Sequence, residues 1–160
     1  ENASKSAEPE KKFYTRRNAF DIGRNVDDVL AREAAFKLKE ISYVQCEAYA
    51  AGELKHGTLS LVEDGTLVIA IATQTHLVDK TINNIKECAV RGAYMIAIAM
   101  EGDMRLDKEV QEVWEIPACP EIMAPALVAI PTQLFGYYMA YEKGCDIDKP
   151  RNLAKSVTVE

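Results

Sequence analysis

Two continuous apolar runs, Gly65 to Ala72 (GTLVIAIA) and Ala93 to Met100 (AYMIAIAM), constrain this chain more than any other feature. Each is bounded by turn residues, and neither alternates apolar with polar positions. That pattern marks a strand covered on both faces. Between them His76 to Arg91 reads as an amphipathic helix stopped by Gly92. Strand, helix, strand is the crossover that joins parallel neighbours.

The rest of the chain continues the alternation. Asn18 to Ile22 is a short, weak strand ending at Gly23, and Val26 to Ser42 carries helix-period apolar residues at Leu30, Ala34, Leu38 and Ile41. Asp27 and Asp28 stand at the favourable N-terminal end of that helix. Tyr43 to Cys46 reads as a strand, Ala50 to His56 as helix-like, Leu106 to Val110 as a helix turn and Val113 to Ile116 as a strand. Ile122 to Lys143 reads as a long helix closed by Gly144. Alternating helices and buried strands give an α/β domain, a parallel sheet inside a three-layer αβα sandwich. Residues 1–15 read as a linker or expression remnant, 16–144 as the domain and 145–160 as a tail.

Composition excludes several classes. The chain has 160 residues, enough for one domain whose core needs no disulfide or metal staple. There are 25 acidic and 19 basic residues, a net charge of −6 that lacks the basic face nucleic acids and anionic membranes require. Cys46, Cys88, Cys119 and Cys145 stand far apart without a CxxC pair or a visible secretory leader. They read as reduced thiols in a cytoplasmic protein. With only His56 and His76 present, we expect no metal site and no cofactor. Ile122 to Tyr141 is almost uncharged and about long enough to cross a bilayer, but it holds Pro125, Pro131, Gln133 and Gly136. We expect a helix buried all round inside a soluble domain, with no membrane partner.

Few residues announce chemistry by themselves. Glu33, Lys37 and Glu40 share one helix face, which fits either an ordinary solvated Glu–Lys pair or a carboxylate base beside a lysine. His56 lies in a turn between Gly52 and Gly57, and His76 reads as surface. The turn Ala72-Thr73-Gln74-Thr75 follows a strand and precedes a helix, a place where backbone N–H groups can hold phosphate, but it lacks glycine.

The block Phe36-Lys37-Leu38-Lys39-Glu40-Ile41-Ser42-Tyr43, the block Glu47 to Gly57 (EAYAAGELKHG) and the closing Asp146 to Glu160 (DIDKPRNLAKSVTVE) are more specific. Together they resemble the isomerase part of the glutamine–fructose-6-phosphate aminotransferases. Members of that family carry a glutaminase domain followed by two sugar-isomerase (SIS) domains with a flavodoxin-like sheet. The similarity runs from about Asn18 to Glu160 and covers the second SIS domain with its tail.

The resemblance implies a transferase that makes glucosamine 6-phosphate from fructose 6-phosphate and glutamine. By it, Glu40 is the base that moves a proton between C1 and C2, accompanied by Glu33 and Lys37. His56 is the ring-opening acid and base that reaches a neighbouring subunit's site. Lys155 forms a Schiff base with the open-chain ketose, and Ala154 lines the pocket through its backbone. The expected partners are the sugar phosphate, a glutaminase domain, a first SIS domain holding most of the phosphate grip, and a second copy in a homodimer. The alternative is a sugar-phosphate-binding sensor without catalysis. Two departures stand out: Thr58 replaces a common proline, and Asp21 occupies an apolar position, for which an edge strand or a shifted domain boundary would account.

Overall fold

In the computed structural model, which describes residue 13 and residues 18–151, five strands pair entirely in parallel. They are β1 (Asn18–Gly23), β2 (Gln45–Ala50), β3 (Leu67–Ala72), β4 (Tyr94–Met100) and β5 (Glu112–Ile116), ordered β2-β1-β3-β4-β5. Three helices connect or follow them: α1 (Val26–Ser42), α2 (Val78–Ala89) and α3 (Ala124–Glu142). Helices α1 and α3 cover one face of the sheet and α2 the other, the expected three layers.

The apolar runs divide by side-chain parity. Leu67, Ile69, Ile71, Ile96 and Ile98 point toward α1 and α3 and meet Leu38, Phe135 and Met139. Val68, Ala70, Ala72, Ala97 and Ala99 point the other way, toward Ile82, Ile85 and Cys88 of α2. The bulky face thus lies under two helices and the small face under one. Trp114 of β5 and Phe135 of α3 bring their rings to 5.4 Å, while Phe13 packs its ring 4.8 Å from Tyr94.

Several expectations change. Strand β2 starts at Gln45 and runs on to Ala50, beyond the expected Tyr43 to Cys46, and the segment expected to be helix-like forms a 3-10 helix, Ala51–His56, followed by a second at Thr58–Leu61. Pairing with β1 through all six β2 residues, from Asn18↔Gln45 to Gly23↔Ala50, outweighs the modest local preference of Glu47-Ala48-Tyr49-Ala50 for a helix. Residues 101–110 form turns instead of a helix turn, with Leu106 fully buried as their anchor.

Helix α3 is not buried all round. A 3-10 turn, Glu121–Met123, leads into it, and only 28% of its most apolar stretch is buried. It packs Val128, Thr132, Phe135, Gly136 and Met139 inward, while Ile130, Tyr137 and Tyr141 face outward. Gly136 allows the close approach to α1, because a Cβ there would stand 3.0 Å from Ile41.

Asp21 is also corrected. Strand β1 lies between β2 and β3, so the residue is in the sheet interior, registered with Ala48 and Ile69 and only 1% exposed. Its Oδ1 has no hydrogen-bond partner. Burial pushes its carboxyl up to about 7, opposed by a hydrogen bond from the Cys46 thiol and by the charge of Lys39. Burial and the same carboxylate hold the Cys46 thiol well above its ordinary range.

Candidate active site

Glu33, Lys37 and Glu40 meet as their spacing predicts. The inward stripe of α1 (Ala31, Ala34, Ala35, Leu38, Ser42) seats the helix on the sheet and turns the Glu40 side outward. The Lys37 ammonium stands 3.1 Å from Glu40 Oε2 and 3.9 Å from Glu33 Oε1. Glu40 is the more sheltered carboxylate, its side chain 22% exposed against 61% for Glu33. It borders a concavity of about 370 Å³ lined by Phe36, Lys39, Glu40, Tyr43 and Arg151. A carboxylate at the rim of such a recess, with an ammonium as hydrogen-bond partner, is equipped to accept and return a proton.

Helix α1 runs back across the sheet, so Glu40, in its last turn, lies at the edge where the strands begin. His56 lies elsewhere. Its turn leaves the carboxyl end of β2 and packs Leu54 on the α2 side of the sheet. The imidazole is exposed, with Glu53 Oε2 at 3.7 Å. The two residues therefore occupy opposite faces and opposite edges of a sheet whose six-residue strands are roughly 20 Å long. Lys155 and Ala154 lie outside the described residues.

The carboxyl ends of β1 and β3, where the strand order reverses, are the usual ligand position in open parallel sheets. Here that position is occupied by the protein itself. Buried Asp27 accepts hydrogen bonds from the Thr73 N–H (2.9 Å) and Thr73 Oγ1 (2.6 Å). Glu121 Oε1 accepts from the Thr75 N–H at 3.0 Å and lies 3.7 Å from the exposed His76. Gln74 is held between the Arg24 carbonyl and Asn25. Gly23 makes the turn possible, since a Cβ there would fall 2.2 Å from the Asp27 carbonyl oxygen. Carboxylates thus cap the N–H groups that an anion would need.

Sequence reasoning missed three members of this region. Lys39 lines the recess where Lys37 does not, and Tyr43 and Arg151 close it. Tyr43 gave no signal because α1 ends on it in the left-handed region (φ 58°, ψ 22°), a C-terminal position where glycine is the usual residue.

A parallel sheet covered by helices on both faces defines an α/β sandwich, and the SIS domain model matches residues 12–143. The chain belongs to the SIS domain family. It is 56% identical over 149 residues to a glutamine–fructose-6-phosphate aminotransferase (isomerizing) of Clostridium tetani, and 56% identical over 144 residues to that of Shouchella clausii. These matches cover 93% and 90% of this chain but only 24% and 23% of the relatives, so the chain spans about a quarter of their length. A solved C-terminal domain of glucosamine-fructose-6-phosphate aminotransferase from Francisella tularensis superposes with a TM-score of 0.84 at 34% identity. It covers 92% of this chain and 42% of that one.

Proposed function

We propose that this chain supplies the isomerisation machinery of an enzyme that makes glucosamine 6-phosphate from fructose 6-phosphate and glutamine. The observation that carries the reading is Glu40, sheltered at the rim of a recess that Arg151 also lines, with Lys37 at 3.1 Å. Lys155 condenses with C2 of the open-chain ketose and releases water. The resulting iminium is an electron sink that makes the C1 proton acidic enough for a carboxylate to remove. Ammonia from glutamine displaces the Lys155 amine at C2, leaving an iminium that carries the new nitrogen and freeing the lysine; Glu40 then takes the C1 proton and delivers it to C2, and one carboxylate serves both carbons because they are adjacent on one face of a planar intermediate. Lys37 and Glu33 set the charge around it, and the Ala154 backbone lines the pocket.

The separation of His56 from Glu40 favours ring opening by His56 in the site of a second copy. A homodimer, or a first SIS domain in the same polypeptide, would use the outward apolar residues Ile130, Tyr137 and Tyr141. The internally capped Thr73–Thr75 turn favours a catalytic domain whose phosphate grip lies elsewhere over a stand-alone sugar-phosphate sensor. A soluble, cytoplasmic setting suits the four free thiols.

The test is interconversion of fructose 6-phosphate and glucose 6-phosphate, followed with a coupled dehydrogenase in the full-length protein carrying this domain. Replacing the base, Glu40→Gln, is expected to lower kcat by at least about 100-fold. Full activity in that variant overturns the assignment. The 160-residue chain alone is expected to turn over little or none, because substrate positioning is incomplete.

A further inference from the structure

The proposed mechanism leaves one buried titratable group unused. Asp21 shares the sheet face of Ala19 and Cys46, the face that lies under α1. From β2 the Cys46 thiol hydrogen-bonds to it, and from α1 the Lys39 ammonium acts on it through charge. From β3 its registered neighbour is apolar Ile69. Among the described residues Oδ1 has no partner at all. A protonated carboxyl tolerates such surroundings, whereas a carboxylate needs more donors than one thiol gives.

Water can supply those donors, and the structure holds a way in. A groove of about 250 Å³ separates α1 from the edge strand β2, lined by Arg32, Ala35 and Lys39 of the helix and by Glu47 and Ala48 of the strand. Ala48 is the registered partner of Asp21, which puts the two backbones about 4.8 Å apart. Ala35 and Ala48 are small, so widening the groove between them displaces no large side chain. The charged groups at its rim are Arg32, which is held by Asp28, together with Lys39 and Glu47. Lys39 also lines the recess beside Glu40.

We infer that the proton on Asp21 closes the seam between α1 and β2, and that its loss opens the seam to water through the groove between Arg32, Lys39 and Glu47. The helix seated by that seam bears Glu33, Lys37 and Glu40 on its outer side, so the position of all three responds to pH. The inference concerns the seat of the helix and holds whether or not Glu40 is the base. Burial pushes the carboxyl up to about 7, which places the change in the neutral range. In the opened seam the hydrated carboxyl returns toward 3.8, so the closed form is favoured in acid and loses ground as pH rises. Between pH 6 and 8 the open population should grow about ten-fold, levelling off above 7 as the closed form itself ionises.

The two deeply buried thiols make the test. Cys46 lies at the seam, and Cys88 lies under α2 on the other face of the sheet. The 160-residue chain carrying Cys119→Ser and Cys145→Ser is treated with methyl methanethiosulfonate at pH 6 to 8, and each thiol is followed by peptide mass spectrometry. Both thiols react only from opened forms, so the intrinsic pH dependence of the reagent cancels in the ratio of their rates. The ratio of Cys46 to Cys88 is expected to rise about ten-fold from pH 6 to 8 and to level off above 7. Asp21→Asn is expected to abolish the rise. Lys39→Gln, at an exposed position, removes a charge that favours the carboxylate, so the ratio should continue to climb above pH 7. A flat ratio in the chain with Asp21 intact would mean that both thiols appear only on global unfolding, and the inference falls. An equal rise in Asp21→Asn overturns it as well, and an unchanged profile in Lys39→Gln overturns the part given to Lys39.

Discussion

Removing the charge of Asp21 should stabilise the domain at neutral and alkaline pH, and the effect should vanish in acid. The residue lies in an interior strand, 1% exposed, with Oδ1 unpartnered. Its carboxyl is raised from 3.8 to about 7, first by burial and against the Cys46 hydrogen bond and the Lys39 charge. Below pH 3.8 both folded and unfolded chains hold the proton, and ionisation costs nothing. As pH rises from there, the unfolded chain releases its proton first, so the folded state is progressively disfavoured until its own carboxyl ionises near pH 7. A shift of that size corresponds to a destabilisation on the order of 4 kcal/mol above pH 7. Roughly 2–3 kcal/mol of it should develop between pH 5 and 8. Asp21→Asn preserves shape and polarity but cannot ionise, so it isolates this effect. Urea unfolding followed through the single tryptophan, buried Trp114, gives the free energy at each pH. The other carboxylates are common to both proteins and cancel in the difference. The variant should gain on the native chain as pH rises through that window. Parallel profiles from pH 5 to 8 would show that Asp21 is already ionised in the folded state, and the burial argument would fail. Asp21→Val should share the pH behaviour and add apolar burial, offset by overpacking of about 1–3 kcal/mol.

Two further outcomes follow from the same core. Asp27→Ala removes a buried acceptor that holds both the N–H and the hydroxyl of Thr73, and should cost about 2–4 kcal/mol by urea unfolding. A loss below 1 kcal/mol would mean that this turn is held by other contacts. Alkylation with iodoacetamide at pH 8 should modify Cys119 and Cys145, which are partly exposed, well before Cys46 and Cys88. Cys46 is held well above the ordinary thiol range and Cys88 is pushed up to about 11, mainly by burial, so neither supplies thiolate until the domain opens. Rapid native-state modification of Cys46 would refute that order.

What the sequence determined by itself was the strand content and the layering. Val68 to Ala72 and Met95 to Ala99 are apolar at every position, and only a sheet covered on both faces can bury every side chain of such a run. The Glu33–Lys37–Glu40 face was legible too, because helical periodicity places i, i+4 and i+7 together whatever the rest of the fold does. Local pattern did not carry strand order. Asp21 looked like an edge residue because a lone carboxylate is costly inside a sheet, yet pairing on both sides placed it in the interior. Nor did it carry the sidedness of α3, whose apolar residues exceed what one helix contact can cover. The Tyr43–Arg151 contact joins residues 108 apart, and the Asp27–Thr73 cap joins residues 46 apart. Contacts at such separations leave no periodic trace in the chain; they exist because the crossover connections return distant segments to the same edge of the sheet.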